Sequence, residues 1–227
     1  MIALSAAMQP EIELIKKNIE SSEIVIWNDW EFITGRLFGQ DVVAVQTGVG
    51  KVLAAAVTQR IIDQFEPEAV IMSGIGGSIN PDYQRGDLVL GLESVQHDFD
   101  TTAVGFKRGE IPYTDYSVIP SDPGLVEIAM SWDGPLKKGR VLTGDQFINR
   151  AHKPEYGYLR EELEGDIVEM EGAAAGLTAM INKIPFLLIR AVSDNADGEA
   201  MGSYKKFLKI ASESSFSLIR YILSNLK

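Results

Sequence analysis

Cysteine is absent from this 227-residue sequence, and histidine occurs only twice, as His97 and His152. The first absence excludes disulfides, a thiolate nucleophile and any cysteine-based metal site. The second argues against a histidine-rich zinc centre, so no metal is expected. Positive charge is also scarce: 21 Lys and Arg face 32 Asp and Glu, a formal net charge of −11. A surface of that sign repels phosphate backbones and anionic lipid, so neither nucleic acid nor a membrane is an expected partner. A small neutral or zwitterionic ligand suits it better. No apolar run approaches the length of a membrane-spanning helix. The apolar part of the opening stretch, MIALSAAMQPEIELIKK, is too short for a secretory h-region, and a cytoplasmic location is the default expectation.

What is present fits a single α/β domain over residues 1–227, with 45% hydrophobic and 23% charged residues. Short apolar runs read as buried strands at 2–6, 41–46, 69–73, 139–142, 167–169 and 185–192, with a longer strand pattern over 87–96. Aromatic-rich residues 22–40 read as a hairpin or two short strands. Helical spacing marks 9–20, 51–65, 123–132, 155–163, 171–181 and 204–226, with Pro10 near the start of the first. Strand and helix alternate, which predicts a central sheet with helices on both faces and ligands at the C-terminal strand ends. Residues 98–122 form a polar loop, and a loop that long in a compact domain is usually functional.

Two glycine-rich stretches invite a nucleotide-binding reading and fail it. A P-loop ending at Gly50-Lys51 needs glycine at Val45 and a hydroxyl residue at Val52. Gly74-Ile75-Gly76 lacks the third glycine of a dinucleotide fingerprint, because position 79 is Ile79. Each reads more simply as a tight strand-to-helix turn. The carboxylates carry more chemistry. Glu11 follows the first strand, Glu169-Met170-Glu171 spans a strand–helix junction, and Asp194 closes an apolar strand. Most acidic residues are solvated surface groups, but a carboxylate beside buried sequence can be desolvated and its pKa raised. That points to acid–base work without naming a substrate.

The ordered set Ala7-Met8 with Glu11, Thr47-Gly-Val-Gly-Lys51, Ser73-Gly-Ile-Gly-Gly77, His97-Asp98, Gly144-Asp-Gln-Phe-Ile148, Val168-Glu-Met-Glu171 and Arg190-Ala-Val-Ser-Asp194-Asn-Ala-Asp197 resembles the 5'-methylthioadenosine/S-adenosylhomocysteine nucleosidases of the nucleoside phosphorylase superfamily. The resemblance implies a three-layer α/β sandwich around a mixed, partly barrel-like sheet, and a homodimer that hydrolyses the N-glycosidic bond of 5'-substituted adenosines without a cofactor. It implies that Glu11 is the general base orienting water and that Asp194, supported by Ser193, is the acid at adenine N7. Glu171 would hold the ribose hydroxyls with Met170 packed on the sugar. Phe147 would stack on the purine and Ile148 would meet its edge through backbone. Ile75, Gly76 and Gly77 would line the pocket, and Val104 and Pro112 belong to the loop that reaches a partner subunit. Ile75 departs from the small hydroxyl residue usual in the family, and Val104 from the common Phe, whereas Pro112 matches. These departures bear on the 5' substituent more than on the reaction.

Three alternatives follow. A phosphorylase would hold phosphate with Arg and Ser where this chain has Met72 and Ile75. A non-catalytic nucleoside-binding protein would have no use for Glu11, Glu171 and Asp194. Futalosine-type nucleosides are a second candidate substrate class.

Overall fold

The computed structural model describes residues 1–149, 151, 153–194 and 204–226. The first strand, β1 (Ile2–Ala6), leads into α1 (Gln9–Asn18). A hairpin of β2 (Glu20–Trp27) and β3 (Trp30–Leu37) runs on to β4 (Gln40–Gln46) and α2 (Lys51–Phe65). Next come β5 (Ala69–Ser78), β6 (Leu88–Gln96), the short β7 (Ile119–Pro120), α3 (Pro123–Met130) and β8 (Lys137–Thr143). The chain continues through α4 (Tyr158–Glu161), β9 (Ile167–Glu169), α5 (Gly172–Ile181), β10 (Phe186–Asp194) and α6 (Tyr204–Asn225). No helix among the described residues is long and apolar enough to cross a membrane.

Alternation of side chains along the strands decides the layering. Ile2, Leu4, Ala6, Val42, Ala44, Ile71, Leu187 and Ile189 face one side and pack against α1, α3 and α6. Their neighbours Ala3, Val43, Val45, Val70, Met72, Leu188 and Val192 face the other and pack against α2 and α5. Both faces are covered, so these strands are predominantly apolar along their central stretches.

Among the described residues the strands form one ten-stranded sheet in the order β10-β6-β8-β9-β5-β1-β4-β3-β2, with β7 beside β6. The path also closes on itself. β5 pairs in parallel with β10 and antiparallel with β9, so β10, β6, β8, β9 and β5 form a five-stranded ring. The glycine-rich stretch makes this closure possible. Instead of ending at Ser73, β5 continues through Ser78. Gly76 admits β9, because a Cβ there would lie 2.5 Å from Ile167 Cγ2 and 3.0 Å from the Val168 carbonyl. The turn expected at Gly74–Ser78 is therefore strand: its glycines serve close backbone approach.

Two other expectations change in detail. Within the 98–122 loop lie a 3₁₀ turn at Thr102–Val104 and strand β7, paired to Glu93 and Ser94. The helix expected over 155–163 breaks into a 3₁₀ turn, Pro154–Tyr156, and the single-turn α4, with Gly157 between them. Glycine is a poor interior helix residue, and the turn before it starts on proline.

Candidate active site

A cleft of about 170 Å³ opens at the C-terminal ends of β1, β5, β9 and β10, bounded by the start of α1 and the 144–148 segment. Glu11 enters from the first turn of α1. Its Oε2 accepts from the Met8 N–H at 2.8 Å, half of a capping box, and its Oε1 accepts from the Ile75 N–H at 2.9 Å. Burial raises the pKa of Glu11, against the opposing pull of Arg190 and of these two amides. Gly74 lies under this corner. A Cβ there would sit 3.0 Å from Glu11 Oε1 and 3.1 Å from Arg190 Nη1, so glycine lets both groups converge over β5.

Glu169 and Glu171 stand two residues apart where β9 passes into α5, and they differ in role. Glu169 is saturated. It accepts from the Arg190 guanidinium, from the Thr143 hydroxyl and from the Glu171 and Gly172 amides that begin α5. A carboxylate at a helix start satisfies donors that otherwise lack partners. Glu171 instead faces the cleft, with Oε1 accepting from the Gly50 N–H at 2.9 Å. Burial, and then the neighbouring Glu169 charge, push its pKa up to about 7. Arg190 is fully buried. Burial works against its charge, but Glu169, Glu171 and Glu11 hold its proton in place.

At the end of β10 the register against β5 slips between Val192 and Asp194. On a regular strand, neighbouring side chains point to opposite faces. The irregularity lets Ser193 and Asp194 both line the cleft. Ser193 Oγ lies 2.7 Å from Asp194 Oδ2, to which it donates, and 3.2 Å from the Gly76 carbonyl. Opposite them the 144–148 segment presents Phe147, 66% exposed at the mouth, and anchors itself through Ile148, buried against Leu142 and Val168.

The family model of the phosphorylase superfamily matches residues 1–224. A 5'-methylthioadenosine/S-adenosylhomocysteine nucleosidase from Geobacillus sp. (strain WCH70) is 35% identical over 232 aligned residues, covering 100% of this chain and 99% of the relative. The chain belongs to the 5'-methylthioadenosine/S-adenosylhomocysteine nucleosidases of the phosphorylase superfamily. The crystal structure of such a nucleosidase from Neisseria meningitidis, in complex with methylthio-immucillin-A, superposes with a TM-score of 0.92 at 34% identity, covering 99% of each chain. A futalosine hydrolase from Helicobacter pylori has the same TM-score of 0.92 at 28% identity, over 99% of this chain and 97% of that one.

Most residues that the nucleosidase resemblance singles out meet in this one cleft: Glu11, Ile75, Gly76, Gly77, Phe147, Ile148, Met170, Glu171, Ser193 and Asp194. Val104 and Pro112 do not join it. Val104 is 71% exposed on the 3₁₀ turn, and Pro112 is half-buried elsewhere in the same loop. Of the nucleosidase motifs, Asn195 to Asp197 lie outside the described residues, as does His152. Sequence reasoning gave Arg190 no role and counted Glu169 only among the strand-end carboxylates suited to acid–base work; the two pair with each other and position the carboxylates beside them. A signal existed: Arg190 interrupts an apolar run in β10, Glu169 closes the short β9, and buried charges occur in pairs.

Proposed function

We propose that this chain hydrolyses the N-glycosidic bond of 5'-substituted adenosines, such as 5'-methylthioadenosine, S-adenosylhomocysteine and 5'-deoxyadenosine, releasing adenine and the free ribosyl sugar. The observation that carries this reading is the sharing of one cleft by Glu11, Glu171 and Asp194. As the C1'–N9 bond breaks, positive charge builds on the ribose and the bonding pair departs with adenine. Ionised Glu171, at the ribose hydroxyls, and Glu11 favour the first change. Asp194, oriented by Ser193, protonates N7 and relieves the second. Water adds to C1' and gives its proton to Glu11. Phe147 stacks on the purine, the Ile148 backbone meets its edge, and Met170 packs on the sugar. Ile75, Gly76 and Gly77 form the wall beside them. One proton passes from Asp194 to the base and one from water to Glu11 as the C1'–N9 bond gives way to C1'–O, and these steps call on neither metal nor cofactor.

Hydrolysis is favoured over phosphorolysis because Met72 is buried in the core and Ile75 offers no hydroxyl for an anion. The test is a panel of nucleosides with purified protein, following free base and reducing sugar with and without phosphate. Adenine and free sugar should accumulate at equal rates in both arms. Sugar 1-phosphate formed in proportion to added phosphate overturns the hydrolase reading. The Helicobacter pylori likeness supports including futalosine-type nucleosides in the same panel. Residues 1–227 act as one domain, the working unit is a homodimer in which the 98–122 loop carries Val104 and Pro112 to the neighbouring cleft, and the setting is cytoplasmic.

A further inference from the structure

The parallel pairing of β6 with β8 aligns Gln96 with Thr143. Past that point the two chains stay together. The His97 N–H donates to the Thr143 carbonyl at 2.9 Å, and Gly144 lies against the His97 ring, where a Cβ would come 2.3 Å from Nε2. The same register delivers two carboxylates side by side, Asp98 and Asp145. Left alone, such a pair repels. Lys51, the first residue of α2, reconciles them. Its Nζ lies 2.6 Å from Asp98 Oδ1 and its backbone N–H donates to Asp145 Oδ1 at 2.8 Å, while the Asp145 N–H donates to Asp98 Oδ2 at 2.9 Å. The circuit is closed, and both members of its ion pair are more than four-fifths buried. Burial opposes the charge on Asp98, and the hydrogen bonds from Lys51 and Asp145 nonetheless hold its pKa below the usual value.

The circuit touches the cleft at two places. Asp145 begins the 145–148 segment that carries Phe147 and Ile148. Gly50, whose N–H holds Glu171, immediately precedes Lys51. Two successive amides therefore hold different halves of the site: that of Gly50 holds the ribose side, and that of Lys51 the purine side. Gly50 has φ +98° and a Cβ there would lie 3.1 Å from Asp145 Oδ1, so the junction also requires glycine.

We propose that Lys51 and Asp98 are positioning residues that lock the purine-contacting segment in register with Glu171, so that base and ribose are gripped at a fixed separation. The inference rests on the nucleosidase reading, because it takes Phe147 as the purine contact. Neither residue touches substrate. A loose lock misplaces two gripped halves relative to each other, and misplacements of about 1 Å cost about 100-fold in rate.

The test compares Lys51→Met, Lys51→Arg and the isosteric Asp98→Asn in the full-length protein. Three quantities are read: kcat and KM for 5'-methylthioadenosine, the Kd of free adenine, and amide hydrogen exchange over residues 144–149. Lys51→Met and Asp98→Asn should lower kcat/KM about 100-fold. They should weaken adenine about tenfold and speed exchange in that segment, with β1 and β4 unchanged. Lys51→Arg, which keeps the charge and the donor, should recover most of the loss. Combining Lys51→Met with Phe147→Ala should cost adenine affinity little beyond Phe147→Ala alone, because both act through one contact. Unchanged exchange and unchanged adenine affinity in Lys51→Met and Asp98→Asn overturn the lock. Failure of the wild-type protein to release adenine overturns the nucleosidase reading instead, and the exchange data still judge the lock.

Discussion

Asp194 and Glu171 are separable by single-atom changes. Asp194→Asn keeps the shape and a hydrogen-bond donor but has no proton to give to N7. Turnover of 5'-methylthioadenosine should fall by at least about 100-fold, the lower range for general acid catalysis, while adenine still binds. The exchange is isosteric and leaves the Ser193 hydroxyl a partner, so the melting temperature should hold. Turnover within about threefold of wild type would remove Asp194 from the acid's role. Glu171 makes a prediction about pH. Its carboxyl ordinarily titrates at 4.5, but burial and then Glu169 push it up to about 7 in the folded chain. Between those values the folded state holds a proton that the unfolded state has released, so this group's contribution to stability falls as pH rises through the window. Glu171→Gln removes that loss. Relative to wild type, the variant should gain about 1–3 kcal/mol on going from about pH 5 to about pH 8. Thermal denaturation at the two pH values measures it, and equal differences at both would contradict the raised pKa.

At the scale of elements, the strands that pack on both faces were legible because apolar runs such as Asp41 to Gln46 leave little choice. The helix over Lys51–Phe65 was legible to the residue. Glycine was not. Its local meaning is a turn, and only the arrival of β9 explains why Gly76 sits mid-strand. The same limit hid the pairing of Arg190 with Glu169, which spans 21 positions, and the Asp98–Asp145 juxtaposition, which depends on the β6–β8 register. Glu11, Glu169, Glu171 and Asp194 stand out from their places near strand ends, whereas which of them faces the cleft and which organises it became visible only once the sheet was assembled. Gly76→Ala tests the closure directly. Its Cβ would meet the Ile167 side chain and the Val168 backbone, and overpacking of this kind costs about 1–3 kcal/mol. A melting temperature equal to that of wild type would mean that β5 and β9 approach less closely than described.

For the whole molecule, the 98–122 loop leaves an apolar surface that a single chain does not cover. Val104 and Tyr113 are 71% and 96% exposed, with Tyr116 and Val118 also exposed nearby. The proposed homodimer would cover these groups. Light scattering should give a particle of twice the 24.9 kDa chain mass, and Val104→Glu should shift it toward the monomer and lower turnover. A wild-type monomer at working concentration would refute the homodimer. The ring closure also has a consequence for solubility. An open sheet has two long edges whose unpaired amides can recruit another strand. Here one end of the sheet is tied back onto β5, so among the described residues β2 is the one long strand left with a free side. That strand carries exposed Ile24 and Ile26, which would invite edge-to-edge growth, but its start is blunted. Ser21 has φ +51°, the pairing slips between Glu20 and Glu23, and both glutamates are exposed. Bends and charges of this sort are how natural sheets refuse an unwanted strand, and among the described residues β2 is the long edge that needs them.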